Sequence, residues 1–410
     1  MKKFFPEILL FIILLINILF EQIDPLFSYS LLCVYFFINF TSKIYSPYLY
    51  IMPGSIYLYP LLYRFSSDNI YEFKELIIFF IIGTLFFSTI YKYASKLELK
   101  IKNFKKINYK NLDNILLIFY IIFAAQRLTR TSLYPDIIKG LSFISIEFIT
   151  ASIYGALIAI SKKNLLESYI KSIPYLVILT LTNILTNDNA SRIYVLFYIV
   201  LIFAITITSK EDLKFSINLK LNVLSEESFF KSITTIIFCF IFSIKDVLTG
   251  GDFMVVSNAL EIIKNLKFSK NFEPYMPFHN GLFIYFPQSL LPFIKPENYN
   301  VSSWITETLY NINPEIAFGT SSTLVGAAYL YSGIFGVITI FSLLGLVLIY
   351  IEHYVDSYFF LGFYIFIMMK LPLVIFRMDE TFLAGTNITF IIILPFFHKF
   401  IRKIIYSTNN

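Results

Sequence analysis

Six of the 33 Lys and Arg residues are arginines: Arg64, Arg127, Arg130, Arg192, Arg377 and Arg402. An arginine stays charged at any working pH, and its planar fork grips phosphate or carboxylate through two parallel hydrogen bonds. Arg192 closes the polar hinge Asn187-Asp188-Asn189-Ala190-Ser191-Arg192 between two apolar runs, and Arg377 opens another, Arg377-Met378-Asp379-Glu380. Arg127 and Arg130 are three apart and share one face of a helix. These four could hold an anionic ligand. His279, within Pro277-Phe278-His279-Asn280-Gly281, could take a proton from a hydroxyl near neutral pH. Each has a plainer reading beside it. Asp188 suits Arg192 as an ion-pair partner, Asp379 or Glu380 suits Arg377, and Glu147 suits Arg127 or Arg130. A loop histidine such as His279 also serves as an ordinary hydrogen-bonding residue.

The elements that position these residues are set by composition. The chain is 57% hydrophobic and 15% charged with mean hydropathy +0.71, against about a quarter charged for a soluble domain. That describes an integral membrane protein. Its net charge of +6 resides in short lysine-rich loops beside hydrophobic runs, a pattern for lipid headgroups rather than nucleic acid. Cys33 and Cys239 both lie in apolar runs and read as free thiols, with no disulfide framework. No Walker loop, GxGxxG, HExxH or paired histidines at metal spacing occurs, so neither ATP coupling, a metal nor another cofactor is expected. Met1-Lys2-Lys3 and the following apolar run resemble a signal peptide without a small-x-small cleavage site, and read as a retained first span.

A crossing helix needs about 20 apolar residues. Spans are expected near 4–20, 26–42, 44–63, 75–91, 112–127, 141–160, 173–187, 193–208, 232–248, 322–350, 358–376 and 381–398. The expected fold class is therefore an all-α polytopic bundle of about twelve spans with both termini cytoplasmic. Residues 1–248 form an N-terminal set of helices, 249–321 a large outward loop, and 322–410 the C-terminal helices and tail. The span at 44–63 contains Pro47, Pro53, Gly54 and Pro60, and could instead be re-entrant. Counting it places the seven lysines of 92–110 inside, as cytoplasmic loops require. The same count turns Arg64, Arg127, Arg130, Arg192 and Arg377 outward. Within the long loop, 258–267 has the spacing of an interfacial helix, and 278–293 is apolar and broken by Pro287 and Pro292.

Three local patterns resemble the Wzy family of O-antigen and capsule repeat-unit polymerases. They are the Asn189-Ala190-Ser191-Arg192 turn, the stretch from Phe283 to Pro296, and the small residues Gly319-Thr320-Ser321-Ser322-Thr323 leading to Gly333 and Gly336. The resemblance implies a metal-independent glycosyltransferase of the bacterial inner membrane that polymerises undecaprenyl-diphosphate-linked oligosaccharides. In it Arg127, Arg130, Arg192 and Arg377 would bind diphosphate, with His279, Arg192 and Arg377 catalytic, and a chain-length regulator would be a partner. Three rivals share the topology. A lipid-linked oligosaccharide flippase should show two repeated halves. A polyprenyl-phosphate-sugar glycosyltransferase would use acids of the first outer loop, where Glu21 and Asp24 stand. A glycan ligase would differ only in its acceptor.

Overall fold

The computed structural model describes residues 5–19, 25–39, 44–54, 70–102, 104, 112–129, 146–186, 191–209, 259, 322–377 and 380–406. Among them every element is a helix. In chain order these are α1 (Phe5–Leu19), α2 (Pro25–Asn39), α3 (Pro47–Gly54), α4 (Ile70–Ala94), α5 (Leu97–Lys102), α6 (Leu112–Thr129) and α7 (Ile146–Ser161). They continue as α8 (Leu165–Thr186), α9 (Ser191–Ser209), α10 (Leu324–Ser332), α11 (Ile334–His353), α12 (Tyr358–Arg377) and α13 (Glu380–Tyr406). Among the described residues, four stretches are long and apolar enough to cross a membrane: Lys74–Lys102, Leu165–Thr182, Ile334–His353 and Tyr358–Phe376. A helix satisfies its backbone hydrogen bonds internally, which an apolar run requires wherever water is scarce. The surface is apolar too. Leu166, Ile170, Ile173, Val177 and Leu181 form an exposed stripe along α8, as a lipid-facing helix presents.

The molecule is organised around α7, every residue of which is buried. It packs against α6, α8, α9 and α12. Its closest partner is α12. A Cβ on Gly155 would lie 2.4 Å from the Phe359 carbonyl oxygen, and one on Gly362 would lie 2.8 Å from the Gly155 Cα. Small residues permit this approach, which is how membrane helices gain van der Waals contact without a hydrophobic driving force. Tyr154 against Phe366 and Phe148 against Phe363 extend the seam. A second close pair is α4 and α11, where Gly83 sits under Phe341 and Gly345 against the Phe87 carbonyl. The hydroxyls of Tyr91 and Tyr364, 3.2 Å apart, tie α4 to α12.

The lysine-bearing helix ends gather at one end of the bundle. There Lys92 pairs with Glu7 at 2.7 Å and hydrogen-bonds Asn39, which joins α1, α2 and α4. The Lys96 amide donates to Glu352, and the Lys100 ammonium donates to the carbonyls of Glu352 and His353 at the close of α11. Lys162, just after α7, lies 4.9 Å from the Tyr358 ring. Asp356 accepts both His398 and Arg402.

Two expected spans take a different form. The run 322–350 is two helices, because Gly333 breaks it with φ of 58° and donates its N–H to the Tyr329 carbonyl. That left-handed conformation is open to glycine at little cost. Thr323 caps α10, accepting from the Gly326 amide at 3.1 Å. Of 44–63, the described part is 44–54, which carries α3, an eight-residue helix with residues 47–51 buried, packed on α2 and α12. Helices also outrun their expected bounds: α8 starts at Leu165 and runs through Pro174, and α13 continues to Tyr406. The expected span 232–248 and, apart from Ala259, the loop 249–321 lie outside the described residues.

Candidate functional site

Side-chain contacts fix the relative direction of the helices around α7. The three-residue link after Ser161 folds α7 and α8 into an antiparallel hairpin, in which the Ser168 hydroxyl donates to the Leu157 carbonyl at 2.7 Å. Tyr175 stacks on Tyr198 and Tyr169 hydrogen-bonds Thr206, so α9 is antiparallel to α8. Lys171 bonds Asp113 and the Phe123 ring meets Tyr175, so α6 is parallel to α8. Contacts of Gly155 with Phe359 and of Glu147 with Lys370 make α12 antiparallel to α7.

One end of the bundle therefore collects the N-termini of α7 and α9 with the C-termini of α6 and α12. These are the helix ends that carry Arg127 on α6, Arg192 on α9 and Arg377 on α12. All three helices pack directly on α7. Arg127 is buried in the last turn of α6, its guanidinium 5.6 Å from the Phe123 ring. For Arg192 and Arg377 the backbone position is what is described. Arg130 and His279 lie outside the described residues.

The same end holds a charged pair that sequence reasoning distributed differently. Glu147, in the first turn of α7, has Lys370 of α12 as its ionic partner, Nζ to Oε1 3.6 Å. Spacing along the chain points to Arg127 or Arg130 as a partner for Glu147; antiparallel packing at Gly155 and Gly362 carries residue 370 to its level as well. Both side chains are about nine-tenths buried. Lys370 is the functional candidate missed in the sequence. Its signal is a lysine well inside an apolar run, in Met368-Met369-Lys370-Leu371-Pro372. Ionisable groups at such depth are expensive, and when retained they mark ion pairs or ligand paths.

Chemically, the buried Arg127 guanidinium, the buried Glu147–Lys370 pair and two further arginine-bearing helix ends lie at one end of the bundle, groups of a kind that suit an anion. Fixed cations in a water-poor setting stabilise negative charge far better than the same groups in water. Comparison with known protein families, with curated proteins and with solved structures finds no match.

Proposed function

We propose that this chain is a polytopic membrane glycosyltransferase that polymerises undecaprenyl-diphosphate-linked oligosaccharides at the outer face of the bacterial cytoplasmic membrane. The observation that carries the reading is the gathering of α6, α9 and α12 on α7 so that Arg127, Arg192 and Arg377 share one end of the bundle. Lysine-bearing ends occupy the opposite end, and the positive-inside rule then turns the arginines outward. The twelve-span topology with both termini cytoplasmic belongs to the same proposal.

The reaction suits these groups. Departure of a lipid diphosphate from the anomeric carbon leaves negative charge, which guanidinium groups stabilise as it develops. The acceptor hydroxyl of the next lipid-linked unit attacks, with His279 as the base and the arginines holding both diphosphates in register. No metal or other cofactor is called for, and a chain-length regulator is the expected protein partner. Replacement of Arg192 or Arg377 by alanine tests the reading: long polymer should disappear while the protein still accumulates in the membrane. Normal chain-length ladders from both variants refute it. A flippase reading draws on the buried Glu147–Lys370 pair, since transporters place charges between helices. A deletion strain that accumulates single-repeat glycan on the outer leaflet excludes transport as the primary role.

A further inference from the structure

The C-terminal half of α13 has two unlike sides. On one, Leu394 and Ile401 are buried, the His398 ring centroid lies 4.6 Å from that of Phe360, and Asp356 pairs with His398 at 3.0 Å and Arg402 at 3.4 Å. These contacts fix the rotation of the helix. On the other side Ile392, Phe396, Lys399, Phe400 and Lys403 are exposed, Phe396 by 74% and Phe400 by 60%. Among the described residues no acid pairs with Lys399 or Lys403.

The order of residues along the exposed side says what would suit it. Ile392, Phe396, Lys399 and Lys403 follow one another at intervals of four, three and four, so they form one helical stripe. Its character changes once: apolar at Ile392 and Phe396, basic at Lys399 and Lys403, with Phe400 alongside. From end to end it is about 16 Å long, enough to run from acyl chains to headgroup level. A polar solute has no use for two exposed phenylalanines, and a wholly apolar partner leaves two ammonium groups without counter-charge. A molecule with an acyl tail and an anionic head satisfies both. Lys399 and Lys403 are one turn apart, with Cβ atoms about 6 Å from each other, and their flexible stems let both ammonium groups close on one phosphate.

We propose that this stripe binds one anionic phospholipid of the leaflet at the lysine-bearing end of the bundle. Its acyl chain lies along Ile392 and Phe396, and its phosphate sits between Lys399 and Lys403. Asp356 stands in the turn between α11 and α12, so its hold on His398 and Arg402 keeps the stripe facing outward and couples the lipid to that turn. The site stands apart from the polymerase reading and requires only that the chain lies in a membrane.

Thermal unfolding of the purified full chain in a neutral detergent tests this, with phosphatidylglycerol or phosphatidylcholine of the same acyl chains added. Phosphatidylglycerol should raise the Tm by several degrees and phosphatidylcholine much less. Lys399→Gln/Lys403→Gln should melt with the unaltered chain in detergent alone, because exposed substitutions change stability little. It should need about twentyfold more phosphatidylglycerol for the same shift, at roughly fivefold per lysine. Lys399→Arg/Lys403→Arg should keep the shift, and Phe396→Gln should weaken it. Lys96→Gln/Lys163→Gln, which removes equal charge at the same end, should leave it intact. Equal losses in the two glutamine pairs would reveal diffuse attraction and overturn the site. So would an equal response to phosphatidylcholine, or a shift that inorganic phosphate reproduces. Light scattering that shows a dimer dissolved by Phe396→Gln would assign the stripe to a second copy and likewise overturn it.

Discussion

Gly155 and Gly362 occupy the point where α7 and α12 touch, close enough that a Cβ on Gly362 would come within 2.8 Å of the Gly155 Cα. The obstacle at Gly155 itself is a backbone carbonyl, that of Phe359, which cannot rotate aside. Gly155→Val should therefore force the helices apart, with a cost of about 3 kcal/mol or more. Thermal melting in detergent checks this, with Gly345→Ala as comparison. At Gly345 the nearest contact of a new Cβ is 3.3 Å, and the loss should be much smaller.

The arginine-bearing ends should behave as one functional unit. Alanine at Arg192 or at Arg377 should lower polymer synthesis about a hundredfold or more, the usual effect of removing one donor from a site that stabilises developing charge. Lysine at either position should restore part of the activity, since it returns the charge without the fork. Chain-length ladders on gels, normalised to membrane protein level, give the measurement.

At the opposite end, Glu7 should matter for stability and not for turnover. Glu7→Gln leaves the ammonium of Lys92 without its charge partner in a buried setting and should cost about 2–3 kcal/mol. Glu7→Leu with Lys92→Met should recover most of that loss. Unfolding midpoints of the single and double variants decide it; equal midpoints for Glu7→Gln and the unaltered chain would show the pair to be idle.

Sidedness is open to direct labelling. On a background with Cys33→Ser and Cys239→Ser, an impermeant maleimide should reach Asn189→Cys in intact cells. It should reach Lys163→Cys only after the membrane is opened. The reverse pattern would invert the bundle and remove the outward-arginine argument.

Much of the helical framework was legible in the sequence, for a physical reason: an apolar run of span length has one way to satisfy its backbone groups. The stretches at 112–127 and 193–208 became α6 and α9 with ends shifted by two residues or fewer. What composition could not reveal was conformation at single glycines. Gly333 sits in a run of uniform hydropathy, and only its positive φ divides α10 from α11. Gly336 and Gly345, a few residues on, stay inside one helix. Partner choice was equally hidden. Glu147 was visible as a charge needing a partner, but spacing along the chain favours near neighbours such as Arg127. Its ionic partner, Lys370, comes from a helix more than two hundred residues away, delivered by the packing of two glycines. For the candidate site, the arginines were legible by type, and their common end of the bundle follows from the directions of α6, α9 and α12.

Enclosure of α7 has a mechanical result. A rod with no free side cannot answer to bilayer thickness or solvent, only to the helices that sheathe it. Helices α6, α9 and α12 meet through it rather than through one another. A ligand that drew one of their tips inward would press first on α7, the neighbour that all three share.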